Sequence, residues 1–273
     1  MAQNFAHGNY SHTQKKQARS SGRSPVDRAR RTLSQNFLTD GHAVELMIKA
    51  AAPRGLVLEP GSGPGVLTLA LAEAGARVIG YEIDPRLAGR LASRTRGDSR
   101  IDVVRGDFTA ARAPREPFAV VGNIPYAITS RIVDWCLRAP ALTSATLLTQ
   151  REYARKRSGD YGRWSLVTVE SWPWFSWRLG DTVGRESFRP VPSVDSAILR
   201  VERRPQPLVS GGRSYRELVE LGFGGLGGSV RASLQLRYDG VDAALEAAGV
   251  ARDAVVGHVH PDQWVTLWGR LCR

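Results

Sequence analysis

Residues 56–65 read LVLEPGSGPG, and this stretch constrains the fold more than any other. An apolar run of strand length ends in a turn with glycine at 61, 63 and 65. Helical spacing follows in VLTLALAEAG and stops at Gly75. Glycine lets a backbone turn tightly and approach a ligand closely. The pattern then repeats. RVIGYEID reads as a second strand, and PRLAGRLASR as a helix with Pro85 at its start. IDVVRGD and FAVVGN read as the third and fourth strands, SRIVDWCLRA as a helix ending before Pro140, and ATLLTQ as the fifth strand. Alternating strands and helices predict an α/β fold with a parallel, doubly wound sheet.

SAILRVERR reads as one late strand. Pro205, Pro207, Gly211 and Gly212 mark a hinge or loop, and YRELVELGF, VDAALEAAG and PDQWVTLWGRL are helical pieces beyond it. The expected organisation is a disordered basic arm over 1–30, a sheet domain over 31–204 and a small helical domain over 205–273. The arm carries Lys15, Lys16, Arg19, Arg23, Arg28 and Arg30 against one acid, Asp27, with no apolar periodicity.

The charge balance points to a polyanion. Lys+Arg total 38 against 26 acids, a net charge of +12, and basic groups on phosphates release counterions and supply most non-specific affinity. Only Lys15, Lys16, Lys49 and Lys156 are lysines. Arginine favours bidentate phosphate contacts and stacking on bases, although arginine usage also follows a GC-rich genome. Arg86, Arg90, Arg94, Arg96, Arg100 and Arg105 fall close together, and Arg151, Arg155, Lys156, Arg157 and Arg163 follow the fifth strand; both groups are candidates for an RNA-facing rim. No stretch approaches a membrane span, and the N-terminus has no apolar core of a signal peptide. Cys136 and Cys272 fit neither zinc spacing nor a disulfide framework. A reducing cytoplasm and no metal are expected; His258 and His260 read as loop histidines.

The strand ends collect the chemistry. In such sheets ligands bind outside the C-terminal ends of the strands. The Gly61 loop ends the first strand, and Glu82 ends the second, where a carboxylate accepts from both ribose hydroxyls. That pair leaves NAD and S-adenosylmethionine both open. Asp107 ends the third strand. It is placed either to accept from an adenine amine or to N-cap a helix. Upstream, TLSQNFLTD offers Gln35 and Asn36 to the polar end of a ligand and Thr39 or Asp40 as a helix cap.

FAVVGNIPYAITS, residues 118–130, finishes the fourth strand with Asn123-Ile124-Pro125-Tyr126. Pro125 fixes φ and removes a donor, so the turn is stiff. The Asn123 amide oxygen and the Ile124 carbonyl are acceptors, and Tyr126 offers a flat face. Acceptors beside a stacking platform suit a planar base with an exocyclic amine. Gripping the N–H groups of that amine frees a lone pair otherwise delocalised into the ring, and orientation and placed dipoles then do most of the catalysis. Phe188, in FRPVPSVDS, is either the opposite wall of a base pocket or a loop aromatic tucked onto the sheet; a base reaching it must leave its stack. Trp172, Trp174 and Trp177 read as packing.

TLSQNFL, EPGSGPG, YEID, RGDF, NIPYAITS and FRPVPSVDS occur in the order and spacing of the rRNA adenine N6-methyltransferases. The chain most resembles the Erm macrolide-resistance branch, in which SQNF and NIPY are usual. Small-subunit rRNA dimethyltransferases usually show a glycine before QNF, and NLPY. The likeness is close over 31–204 and loose over the helical tail. It implies a Rossmann-like S-adenosylmethionine-dependent methyltransferase sheet with a small, RNA-associated C-terminal helical domain. It implies that Asn36 and Leu38 contact the methionine end of S-adenosylmethionine, Gly61 the cofactor through backbone, Glu82 the ribose and Asp107 the adenine amine. Asn123 would bridge cofactor and target amine, with Tyr126 and Phe188 stacking on the flipped adenine. The implied reaction is mono- or dimethylation at N6 of one adenine in 23S rRNA, before full subunit assembly. The implied consequence is resistance to macrolides, lincosamides and streptogramin B. A monomer is the default. A 16S rRNA dimethyltransferase stays open, as does a non-catalytic ribosome assembly factor; the intact Gly61, Glu82, Asp107 and Asn123 speak against the latter.

Overall fold

The computed structural model describes residues 36–225 and 228–272; the arm expected over 1–30, and Gln35, lie outside the described residues. The strands are β1 (Phe37–Leu38), β2 (Leu56–Pro60), β3 (Arg77–Glu82), β4 (Ile101–Arg105), β5 (Phe118–Asn123), β6 (Leu142–Gln150), β7 (Phe175–Val183), β8 (Phe188–Arg189) and β9 (Ser196–Arg203). The helices of the sheet region are α1 (Gly41–Ala51), α2 (Val66–Glu73), α3 (Pro85–Arg94), α4 (Thr129–Arg138), α5 (Arg151–Ser158) and α6 (Leu166–Ser171). Beyond them lie α7 (Gly212–Phe223), α8 (Val230–Leu234), α9 (Val241–Ala247) and α10 (Pro261–Leu271).

Seven strands form one sheet in the order β4-β3-β2-β5-β6-β9-β7. The β4, β3, β2, β5 and β6 strands run parallel, as expected. The edge departs from that expectation: β9 is antiparallel to both β6 and β7. A parallel return needs a crossover of a dozen or more residues, usually helical. The β7–β9 link instead carries the short strand β8, which pairs antiparallel with β1. That pairing ties TLSQNFLTD to FRPVPSVDS. The Thr39 N–H donates to the Ser187 carbonyl (2.9 Å), and the Ser187 hydroxyl donates to Asp40 (3.0 Å).

The central strands are buried on both faces, which explains their near-continuous apolar runs. Leu56, Leu58, Phe118 and Val120 face one core with α4, Leu147 and Leu199. Val57, Ala119 and Val121 alternate to the other, with Val78, Leu148 and residues of α1 and α2. Trp172 and Trp177 are buried in the first core, and Trp177 donates to the Ser171 hydroxyl (3.0 Å). They pack, as expected. The helices after Gly212 surround a third core of Tyr215, Leu218, Leu245, Trp264, Leu267 and Trp268, which also takes in Val169 of α6. Truncating a wholly buried tryptophan such as Trp264 costs about 3–5 kcal/mol.

Candidate active site

The strand order reverses between β2 and β5. From β2 the chain moves outward through β3 and β4, then crosses back to β5 on the other side. The crevice at such a switch point, beyond the carboxyl ends of the strands, is where ligands bind in open α/β sheets. Two close approaches shape it. A Cβ on Gly122 would lie 2.9 Å from the Pro60 ring, so only glycine lets β2 and β5 meet so tightly at their tips. At Gly63 φ is +55°, and a Cβ would meet the Phe37 ring at 3.0 Å; Phe37 thereby packs over the glycine loop. At Gly61 a Cβ would point toward Pro125 (3.7 Å) and the Asn123 carbonyl (3.9 Å). The loop and the Asn123–Tyr126 turn are thus near neighbours, and Asn36, Phe37, Gly61, Asn123, Pro125 and Tyr126 line one narrow cleft.

Main-chain donors hold the loop side. The Gly61 and Ser62 N–H groups donate to the Tyr81 carbonyl (2.8 and 3.0 Å). Glu82 is 1% exposed, and its two oxygens accept from the N–H groups of Gly63 and Asp84, both at 2.8 Å. Burial pushes the Glu82 carboxyl pKa up, and the backbone N–H groups of Asp84, Gly63 and Ile83 pull it back. Beneath it lies Glu59, 2% exposed, accepting from the Thr68 hydroxyl at 2.5 Å. Burial pushes the Glu59 carboxyl up to about 7, against the pull of that hydroxyl. Asp107 caps the turn Phe108–Ala110: its Oδ1 accepts from the Thr109 N–H (2.8 Å) and hydroxyl (2.9 Å). Oδ2 lies 3.8 Å from Arg131.

Side-chain bonds hold the β5 side. The Asn123 Nδ2 donates to the Asn36 carbonyl (2.8 Å), so the amide oxygen is turned away from that bond. The Ile124 N–H donates to the Leu148 carbonyl (3.4 Å) and the Ile128 N–H to the Pro125 carbonyl (3.1 Å), which closes the turn. The Tyr126 phenol and the Ser196 hydroxyl share a 2.6 Å hydrogen bond, and burial pushes the phenol pKa up.

The expected site residues therefore divide. Asn36, Gly61, Glu82, Asn123 and Tyr126 converge on the crevice, with Asp107 at the tip of the neighbouring β4. Phe188 does not. It is 0% exposed in the core with Met47, Leu148 and Ile198, so an aromatic wall at that position is not presented in this arrangement. Backing Leu38 across the β1–β8 pair, it steadies the Asn36–Phe37 segment from behind. Leu38 is likewise buried (4%) in the same core, leaving only its backbone for any ligand. An apolar side chain follows core packing over local loop geometry.

Sequence reasoning passed over Phe37, Glu59 and Ser196. An acid in a strand otherwise apolar was the readable signal for Glu59. Ser196 had none, since its partner lies 70 residues away in the chain. Of the expected basic rim, Arg100 pairs with Asp98 (2.8 Å), Arg157 donates to Ser165 (2.8 Å) and Arg163 to His258 (3.1 Å). His260 caps α10 and meets Trp164 edge-on at 4.7 Å. These groups serve the fold.

Comparison with known proteins shows the family. The profile of the ribosomal RNA adenine dimethylase family matches residues 26–271. An rRNA adenine N-6-methyltransferase of Streptomyces fradiae is 53% identical over 252 residues, covering 89% of this chain and 79% of its own length. The mycinamicin-resistance protein MyrB of Micromonospora griseorubida is 36% identical over 260 residues, covering 91% of this chain and 81% of its own. The crystal structure of the 23S rRNA methyltransferase ErmE matches with a TM-score of 0.84 at 51% identity, covering 87% of this chain and 100% of that one. With the glycine loop, the buried strand-end acid and the Asn-Ile-Pro-Tyr turn around one crevice, and a family match spanning nearly its whole length, the chain belongs to the ribosomal RNA adenine dimethylase family.

Proposed function

We propose that this enzyme transfers methyl from S-adenosylmethionine to N6 of one adenine in 23S rRNA, and that the modification confers macrolide, lincosamide and streptogramin B resistance. The observation that carries the reading is the meeting of the glycine loop and the Asn123–Tyr126 turn within about 4 Å at the switch point. The names of the Streptomyces fradiae and ErmE proteins support the rRNA substrate, and that of MyrB the resistance.

The residues present fit the cofactor. The space a Cβ would fill at Gly61 is a cradle for close backbone approach. Glu82, at the tip of β3 beside the glycine loop, is assigned to the ribose hydroxyls, and Asp107 Oδ2 to an adenine amine. Asn36 and the Leu38 backbone lie toward the methionine end. When bound, S-adenosylmethionine supplies an electrophilic methyl on a sulfonium.

On the other side Tyr126 holds the extruded adenine by its face. The Asn123 amide oxygen, oriented by the bond to Asn36, and the Ile124 carbonyl accept from the N6 hydrogens. That grip turns the nitrogen lone pair toward the crevice. Both acceptors are fixed before the base arrives, so little reorganisation remains at the moment of transfer. Phe188 contributes from behind by holding β1. All these groups lie in one chain, which supports action as a monomer. An rRNA substrate, taken before subunit assembly is complete, supports a cytoplasmic setting. The helices beyond Gly212 and the exposed arginines of α3, Arg86 and Arg90, are assigned to the rest of the RNA.

Transfer of labelled methyl to 23S and 16S rRNA, with mapping of the modified nucleotide, tests the reading. Label at N6 of a single 23S adenine is expected; label in 16S rRNA alone, or in neither, contradicts it.

A further inference from the structure

Beside the Tyr126 platform lies a second pocket that the reaction above does not use. Its volume is about 510 Å³, inside the range of roughly 300–1,000 Å³ typical of small-ligand sites. It is linked to the crevice through the chain neighbours Asp195 and Ser196. Ser196 bonds the Tyr126 phenol, and the adjoining Asp195 builds the pocket rim, its carbonyl accepting from the Arg151 N–H (3.0 Å) and its carboxylate from the Arg185 N–H (3.2 Å).

The lining combines an aromatic face with cations. Arg155 lies over one face of the Tyr161 ring, 4.0 Å from its centroid. That guanidinium is paired with Asp160, so its part is to hold the ring. Tyr161 remains 47% exposed and Val194 42% exposed. Arg151 and Arg185 also line the pocket, and neither guanidinium has an acidic or hydrogen-bonding partner among the described residues. The lining acids are Glu152 and Asp195, the latter already engaged by the Arg185 N–H. Helix α5 begins here, and Gln150 at its N-cap makes no side-chain cap bond, which adds a partial positive charge.

An exposed aromatic steadied from behind, next to two unpaired guanidiniums, matches a nucleotide: a π-face for the base and a fork for its phosphate. The geometry points to a subsite for the nucleotide adjoining the target adenosine, with Tyr161 stacking its base and Arg151 and Arg185 together gripping one phosphate. This inference rests on the rRNA reading above and deepens it. Extruding one base strains the strand on either side, and a neighbour held one pocket away keeps the target over Tyr126. Tyr161, Arg151 and Arg185 are then specificity-determining residues rather than catalytic ones.

Steady-state methylation of a 23S rRNA hairpin containing the target adenine tests this, with the variants Tyr161→Ala, Tyr161→Phe and Arg151→Gln/Arg185→Gln. KM for RNA is expected to rise about tenfold in Tyr161→Ala and to recover in Tyr161→Phe, with kcat and cofactor Kd near wild type. The double arginine variant is expected to raise KM and to flatten its salt dependence by about 0.7 in log–log slope, the loss of one phosphate on a single strand. The slope should stay unchanged in Tyr161→Ala, because stacking releases no counterions. Unchanged KM in both variants, with wild-type methylation intact, overturns the subsite and leaves the proposed reaction standing. Failure of Tyr161→Phe to rescue overturns the stacking role. Absence of transfer by the wild-type protein overturns both readings.

Discussion

On the β2–β3 side of the crevice, Glu82 gathers the N–H groups of Gly63 and Asp84, and Tyr81 receives those of Gly61 and Ser62. On the β5–β9 side, Asn123 hangs from one bond to Asn36 and Tyr126 from one to Ser196. The first side is knit by main chain into strand ends that also carry the core. The second is set by single side-chain contacts across long stretches of sequence. Damage to the first should cost affinity and stability together, and damage to the second should cost turnover while the fold stands.

The largest expected effect breaks the second side. Asn123→Ala removes an oriented acceptor, and by analogy with removing one preorganised hydrogen-bonding group, kcat should fall by about 100–1,000-fold. The melting temperature should barely move. A comparable loss of stability in thermal unfolding would erase the distinction.

Glu82→Gln probes the first side. An amide places its NH₂ against a buried backbone donor, leaving that donor unsatisfied at about 1–3 kcal/mol. Tm should drop by several degrees, at about 2–4 °C per kcal/mol for a domain of this size. Cofactor Kd should rise at least tenfold in calorimetry. An intact Tm with weakened binding would show that Glu82 serves the ligand alone.

Ser196→Ala sharpens the comparison with a smaller effect. Losing one hydrogen bond worth about 1 kcal/mol lets the Tyr126 ring rotate, and kcat should fall about fivefold with cofactor Kd unchanged.

Glu59→Gln should alter turnover least and stability in a pH-dependent way. Glu59 has a folded pKa of about 7, raised from 4.5. The folded state therefore binds more protons than the unfolded one between those values. Stability associated with this group is fully present below pH 4.5 and is lost as pH rises through about 7. The whole loss is on the order of 3 kcal/mol. Glutamine keeps the acceptor for Thr68 and does not ionise. Its melting temperature should therefore exceed that of wild type at pH 8 and approach it at pH 5; the opposite ordering would place a charged Glu59 in the folded state.

The same contrast explains what the sequence made legible. Strand ends were readable because glycine, proline and a lone acid interrupt runs that are otherwise apolar: Gly61, Glu82 and Asn123 were found in this way. Their neighbours were not. Phe188 and Leu38 sit beside polar motif residues, yet apolar burial, which no local pattern states, drew both side chains into the core. Phe37 carries the same chemistry as Phe188 and faces the glycine loop instead, because it alternates with Leu38, the core-facing partner of Phe188, and successive residues of a strand point to opposite faces. The antiparallel edge was missed for a related reason. The residues of β7, FSWRLGDTV, become a strand through pairing with β9, a tertiary choice that overrides a weak local signal. Ser196 shows the limit, since the hydroxyl gains its role only when β9 brings it to Tyr126.

The division between a donor side and a base side is tested most directly by Tyr126→Ala, measured twice: S-adenosylmethionine affinity by calorimetry and methyl transfer to 23S rRNA under saturating cofactor. The expected result is wild-type affinity with transfer slowed by up to about 100-fold, the loss of a stacking platform. Collapsed affinity with transfer preserved would put Tyr126 on the cofactor and contradict the assignment of the two sides.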